Sequence, residues 1–340
     1  MKLKLFSTAP LKGEGLSFLE SVADVTQDPW ADHVPARFYD PKDLADRLRS
    51  LEPDILVVEV DAVTAEVFAA CPKLIAVGAC RGDPWNIDVA AATAAGVPVL
   101  RAPARNAEAV AEFALALALA VGRRVVAADA DVRAGEWVVD GKIAYQRFLG
   151  SELSGRPVGV IGLGAVGRIF ARMVSALGCP VLAYDPYAPP EAFEAGNAKP
   201  ASLEEVLSQS DVVSLHAVVT PETRGLIGAE QLGWMRPGAI VINTARAQLM
   251  DQDALVSALE SGKLGGAGLD HFVNEYIPPD HPLTRLPNVV LTEHIAGATV
   301  ETISRQTRII ADGIASLLEG RQPEHLVNGD VWEHRRELAR

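Results

Sequence analysis

Three polar residues stand directly behind apolar runs in the second half of the chain. Arg246 follows AIVIN (Ala239–Asn243), Glu275 follows GAGLD, and His294 follows NVVLT. An arginine is always charged, and its planar fork matches a carboxylate with two parallel hydrogen bonds. A histidine exchanges a proton near neutral pH, and a carboxylate beside it raises its pKa and fixes its orientation. Such a set suits hydride chemistry on a 2-oxo acid. Arg246 would clamp the carboxylate, His294 would give or take the proton, and Glu275 would hold the imidazole. Each also has a plainer reading. Glu275 in NEYIPPD is an ordinary solvated loop carboxylate, His294 a satisfied loop histidine, and Arg246 one half of a structural salt bridge. An unpaired guanidinium behind a buried strand is costly, so an anion is expected at Arg246.

The hydride would come from a nicotinamide, and the chain carries a motif for one. Gly162-x-Gly164-x-x-Gly167 follows the apolar run PVGVIG and opens an amphipathic segment. The first glycine permits the tight turn, and the second lets a pyrophosphate approach the backbone. The third lets helix and strand pack closely, and the helix N-terminus offers its free N–H groups to the phosphates. A glycine pattern alone is weak evidence. Here a second apolar run, VLAYD, ends at Asp185, 23 residues after Gly162, near the spacing of about 20 seen in dinucleotide sites. A carboxylate there accepts from the adenosine ribose and repels a 2′-phosphate, so NAD is expected over NADP. The alternative is a plain tight turn with Asp185 capping a loop.

Those residues need elements to hold them. Before residue 105 the strand candidates are KLKLFS, ILVVEV (Ile55–Val60), LIAVGA (Leu74–Ala79) and VPVL (Val97–Leu100). After residue 150 they are PVGVIG, PVLAYD, DVVSLH, AIVIN, GAGLD and NVVLT. Apolar strands alternating with helices predict parallel sheets covered on both faces. The fold class is therefore α/β: two Rossmann-like or flavodoxin-like domains with parallel sheets and a cleft between them. Residues 1–105 plus about 299–340 form a discontinuous substrate domain, and 106–298 form the dinucleotide-binding domain. One helical stretch, about Ala107 to Arg133, is expected to carry the chain from the first to the second. A final helix, about Val300 to Glu319, precedes a short extended tail, HLVNGD. Ligands of an open parallel sheet sit beyond the carboxyl ends of its strands, so Ser214–Val219, Asn243–Arg246 and Asp270 would line one crevice.

Composition bounds the partners. With 340 residues, 49% of them hydrophobic, the chain has enough for two packed domains. A net charge of −13 argues against nucleic acid and acidic membranes. The N-terminus MKLKLFSTAP lacks the apolar core of a signal peptide, and FALALALAVG is half the length of a membrane span. Cys71, Cys80 and Cys179 are odd in number and lack metal-ligand spacing. No metal and a reduced, cytoplasmic location are expected.

From about Leu74 to Val327 the chain resembles the D-isomer-specific 2-hydroxyacid dehydrogenases, which include phosphoglycerate, glyoxylate and hydroxypyruvate reductases. The motifs are NIDVAAATAAGVPV, NAEAVAEFALAL, GLGAVGR, LHAVVTPETRGLIG, INTAR, GLDHF followed by Glu275, and LTEHIAGAT. The resemblance implies that Arg246 binds substrate carboxyl and carbonyl, that Glu275 pairs with His294, and that His294 is the acid/base. It implies NAD contacts at Ala165, Val166, Asp185, Ala217, Thr244 and Asp270, a cofactor wall continued by Ala245, Arg246, His294 and Gly297, and a homodimer formed through the dinucleotide-binding domain. Three loop residues depart from the usual pattern: Ala247 replaces a glycine, while Tyr276 and Glu293 replace prolines. None removes a reacting group. With 340 residues, no regulatory domain of the kind appended to some phosphoglycerate dehydrogenases is expected.

The resemblance also points to a substrate loop, here GACRGDPWNID (Gly78–Asp88). Its usual form is small and glycine-rich, whereas this one carries Cys80, Arg81, Asp83 and Trp85. Arg81 and Gly82 are expected to touch substrate, with Arg105 adding charge, so a sugar acid or phosphorylated hydroxyacid such as 3-phosphoglycerate is expected. An Arg81–Asp83 pair that only shapes the loop is the plain alternative, and glyoxylate or hydroxypyruvate the rival substrates. A rival from another class is an NAD(H)-sensing, corepressor-like scaffold. Formate or phosphite oxidation is disfavoured, because formate enzymes use glutamine where Glu275 stands.

Overall fold

A computed structural model of the protein describes residues 2–336. The chain divides into two compact units, residues 1–106 with 299–340, and residues 107–298.

The first unit is built on five parallel strands: β1 (Leu3–Ser7), β2 (Ala23–Gln27), β3 (Ile55–Val58), β4 (Ala76–Ala79) and β5 (Val99–Arg101). Their order is β2-β1-β3-β4-β5, the flavodoxin-like arrangement. Every residue of β3 and β4 is buried, as expected for strands with helices on both faces. The strand β2 falls in a stretch read from sequence as no element. It pairs only with β1 and is mostly exposed after Ala23, so ADVTQ shows neither an apolar run nor alternation. The helix Val300–Leu318 starts at Thr299, whose hydroxyl accepts from the Thr302 N–H at 3.1 Å. It lies so close to the helix Gly13–Val22 that a Cβ on Gly15 would come within 2.7 Å of the Arg308 nitrogen. The tail then returns to the sheet edge, where Val327 N–H donates to the Val99 carbonyl and Val99 N–H to the Asn328 side chain, each at 2.8 Å.

The second unit begins with the helix Ala107–Gly122. The expected single stretch to Arg133 is in fact two helices, the second being Val125–Ala134, with Arg124 left-handed between them (φ 53°). The break has a packing cause. Residues 150–151 come back against Gly122, whose carbonyl accepts from Ser151 N–H at 3.0 Å. A small antiparallel hairpin follows, β6 (Val138–Val139) and β7 (Lys142–Ile143). The main sheet then comprises β8 (Val158–Ile161), β9 (Val181–Tyr184), β10 (Lys199–Pro200), β11 (Val212–Leu215), β12 (Ala239–Asn243), β13 (Leu264–Leu269) and β14 (Val289–Leu291). All are parallel, in the order β10-β9-β8-β11-β12-β13-β14. Strand order reverses between β8 and β11, so the loops after them flank the switch point where nucleotides bind in Rossmann folds.

Candidate active site

The glycine turn after β8 is shaped by collisions that only glycine avoids. Gly162 has φ +92°, and a Cβ there would lie 2.5 Å from the Ala217 nitrogen. A Cβ on Gly167 would lie 2.0 Å from the Gly162 carbonyl oxygen. Gly164 is different: nothing lies within 4 Å of the place its Cβ would take. It caps the helix Ala165–Ala176 without a side-chain hydrogen bond, leaving Ala165, Val166 and Gly167 on a first turn with unclaimed N–H groups. Asp185 closes the turn from the end of β9. One of its oxygens accepts from Leu163 N–H at 2.7 Å and the other from Tyr187 N–H at 3.0 Å.

After β11, the His216 ring packs on Phe170 with centroids 5.0 Å apart, and Ser214 Oγ lies 2.9 Å from its Nε2. Burial pushes its pKa down to about 3, so it is neutral at working pH. Ala217 follows, half-buried. After β12, buried Asn243 brackets the turn. Its Nδ2 donates to the Arg246 carbonyl at 2.8 Å, and its Oδ1 accepts from Ala245 N–H at 3.1 Å. Thr244 is buried, and its hydroxyl has no hydrogen-bond partner among the described residues. An unclaimed buried hydroxyl, an open glycine and a bare helix N-terminus make a cradle of the kind a dinucleotide fills. The turn carries Arg246 outward: the guanidinium is exposed, Nη1 donates to the Ala245 carbonyl at 2.6 Å, and among the described residues no carboxylate lies within ion-pairing distance.

The ends of β13 and β14 carry the remaining groups. Asp270, expected from the resemblance to contact NAD, is fully buried. Its carboxylate is taken by Thr292 Oγ1 at 2.6 Å and by the Ile295 and Ala296 N–H groups at 3.0 Å each, and its carbonyl accepts from His294 N–H at 2.9 Å. It therefore serves here as the anchor of the His294 loop, with Gly297 half-buried just beyond. Glu275 Oε2 lies 3.2 Å from His294 Nδ1, and both side chains are about half exposed. Asn274, Glu275 and His294 are all left-handed, at φ 57°, 52° and 59°. Left-handed non-glycine residues cost free energy, and they persist where the surroundings over-determine them, often at functional sites.

One residue in this cluster escaped the sequence reading. His271, four before Glu275, is buried; its Nδ1 lies 3.5 Å from Glu275 Oε1 and has no hydrogen-bond partner among the described residues. Its ring centroid is 3.9 Å from that of His294. The i, i+4 spacing of His271 and Glu275 was the available signal. His271, Glu275 and His294 each offer one donor atom within 4.8 Å of the others, the kind of set that holds a metal. The charge of Arg246 bears on the same imidazole, which disfavours a cation there.

Arg81 and Gly82 lie in the first unit, after β4. The Arg81 guanidinium sits 4.9 Å from the Trp85 ring centroid. Arg105, expected to supply free charge, does not. It is bound to Glu59 at 2.6 Å and to Gln306, and Trp30 Nε1 donates to the other Glu59 oxygen at 3.1 Å. Cys80 beside them is fully buried, and burial pushes its thiol far above the usual range.

Comparison with known proteins decides what the second unit is. Residues 115–296 match the model of the D-isomer specific 2-hydroxyacid dehydrogenase, NAD binding domain. The chain belongs to that family. It is 38% identical to a glyoxylate reductase of Korarchaeum cryptofilum over 333 residues, covering 97% of each chain. It is 39% identical to the D-3-phosphoglycerate dehydrogenase of Mycobacterium leprae, over 94% of this chain and 60% of that one. The solved structure of the TT0316 protein from Thermus thermophilus superimposes with a TM-score of 0.78 at 35% identity, covering 96% of this chain and all of that one. As a member of the 2-hydroxyacid dehydrogenases, the protein is an NAD-dependent oxidoreductase. No helix among its described residues is long and apolar enough to cross a membrane.

Proposed function

We propose that the protein interconverts a D-2-hydroxyacid and its 2-oxo acid with His294 as acid/base, Glu275 as its partner and Arg246 as the substrate clamp. The observation that carries this reading is the Glu275 Oε2–His294 Nδ1 pair at 3.2 Å, in the unit that holds the glycine turn. With Nδ1 engaged, the Nε2 edge of His294 is left for substrate. In reduction His294 gives its proton to the ketone oxygen and Glu275 stabilises the imidazolium before transfer; in oxidation neutral His294 takes the hydroxyl proton. Arg246 has an exposed fork without a carboxylate of its own, which suits a bidentate substrate carboxylate. A bound nicotinamide would supply the hydride in reduction and take it up in oxidation. Gly162, Gly164, Ala165, Val166 and Gly167 would take the pyrophosphate, Asp185 the ribose, and Ala217, Thr244, Ala245, Arg246, His294 and Gly297 the nicotinamide half. Asp270 would act there through the loop it anchors.

Arg81 and Gly82 would touch groups beyond the carboxylate, favouring a sugar acid or a phosphorylated hydroxyacid such as 3-phosphoglycerate over glyoxylate. Support comes from the cation held over Trp85, 68% of whose surface is exposed. We place the protein in the cytoplasm as a homodimer through the second unit. Its three cysteines are free, and Val125, Val126, Val132, Trp137, Val138, Ile143, Tyr145 and Leu149 form an exposed apolar run in that unit.

The deciding experiment follows NADH absorbance over a panel of glyoxylate, hydroxypyruvate, pyruvate and phosphorylated and polyhydroxy 2-oxo acids. Turnover of a longer anionic acid above glyoxylate is expected. NADH binding without turnover of any acid would refute the enzymatic roles and favour a nucleotide-sensing scaffold, and a clear glyoxylate preference would remove the substrate proposal alone.

A further inference from the structure

The Glu275 carboxylate is flanked by two imidazoles, not one. Oε2 faces His294 Nδ1 at 3.2 Å and Oε1 faces His271 Nδ1 at 3.5 Å. The two imidazoles differ sharply: His294 is about half exposed, whereas His271 is enclosed and its Nδ1 has no other partner. A buried polar atom without a partner calls for an explanation, and a Glu275 oxygen lies 3.5 Å from this one.

We propose that His271 is a positioning residue that donates its Nδ1–H to Glu275 Oε1 and so limits how much of that carboxylate is left to His294. The inference rests on the acid/base reading of His294 above. A separation of 3.5 Å exceeds that of a good N–H···O bond, and a closure of about half an ångström makes one. The donor must be a neutral imidazole carrying its hydrogen on Nδ1. The charged or titratable groups bearing on His271 are His294, Arg246, Glu275 and Asp270. Burial, with the charges of His294 and Arg246, pushes its pKa down to about 4, so it is neutral across the working range. Packing also matters, because rings with centroids 3.9 Å apart keep water from one face of His294.

The sign of the effect follows. A hydrogen bond to Oε1 draws negative charge away from Oε2. Removing it leaves the full carboxylate to His294 and favours the imidazolium. Reduction needs the imidazolium, so the alkaline limb of its pH profile moves up. Oxidation needs the neutral ring, so the acid limb of its profile also moves up and turnover on the acid side of that limb falls.

The test uses His271→Leu and His271→Asn in the full chain, assayed in both directions with the 2-oxo acid that the panel selects. Asn can place an N–H near the Nδ1 position. We expect His271→Leu to move both limbs up by about half to one pH unit, a threefold to tenfold loss of oxidation on the acid side of its limb, and His271→Asn to stay close to the parent. Unmoved limbs in His271→Leu, or an equal shift in both variants, would overturn the inference. His294→Ala separates the two levels. Full activity in His294→Ala removes the acid/base reading, whereas an inactive His294→Ala beside an unshifted His271→Leu removes only the role of His271. Should His271→Leu fail to bind NADH, 15N NMR of His271 in the parent–NADH complex decides. A protonated Nδ1 supports the inference, and an unprotonated one overturns it.

Discussion

Two arginines, Arg105 in the first unit and Arg246 in the second, are held in opposite ways. In the first, Arg105 is held by Glu59 and Gln306, and Glu59 is held in turn by Trp30. In the second, among the described residues, Arg246 bonds just a neighbouring carbonyl, and two buried polar atoms, Thr244 Oγ1 and His271 Nδ1, have no partner. The same residue type thus marks a closed structural network in one place and an open, solvent-facing one in the other. Charge in a sequence does not separate these cases; satisfaction of the surrounding polar atoms does.

The sharpest way to break this contrast is His294→Ala. Loss of the proton carrier should lower turnover by about 10²–10⁴-fold, while NADH binding, measured by fluorescence titration, should change far less than turnover does. A change in the first unit should show up in stability instead. Glu59→Leu leaves Arg105 nearly buried beside a lost partner, and breaking such a pair costs roughly 3 kcal/mol. Chemical denaturation should register that loss, and a variant as stable as the parent would show that the network is ornamental. Arg246→Lys keeps the charge but loses the fork. It should reduce kcat/KM by about tenfold, the equivalent of one charge-assisted hydrogen bond. An unchanged kcat/KM would remove the clamp.

The same contrast predicts a pH dependence of folding. His216 and His271 are held neutral, with pKa values near 3 and 4, while in the unfolded chain both titrate near 6.5. Protonation therefore favours the unfolded state. The stability they contribute is present above about pH 6.5 and is lost progressively as pH falls toward 4 and then 3. His216→Asn and His271→Asn should each flatten that slope in denaturation curves taken between pH 7 and 4.

Much of the second unit was legible because its determinants are local. The glycine spacing is set by collisions within one turn, and Gly162 to Asp185 spans a single strand–helix–strand unit. Arg246, Glu275 and His294 stood out because each follows an apolar strand. What escaped depends on distant packing. The helix break at Arg124 is imposed by residues 150–151. The edge strands β2 and β10 each have a single neighbour, so they need no apolar pattern, and β10 can even contain Pro200. His271 looks like any polar residue until the ends of β13 and β14 bring its ring beside His294.

Asp270 has a consequence for anyone who would re-engineer substrate choice. Because its carboxylate receives Thr292, Ile295 and Ala296 while its carbonyl receives His294, the segment bearing Glu275 and the segment bearing His294 are riveted into one plate. Transplanting residues 270–277 from a cousin enzyme without 292–297 would therefore risk mismatching two halves of a single part, whereas moving them as a pair carries the rivet along with both of its sides.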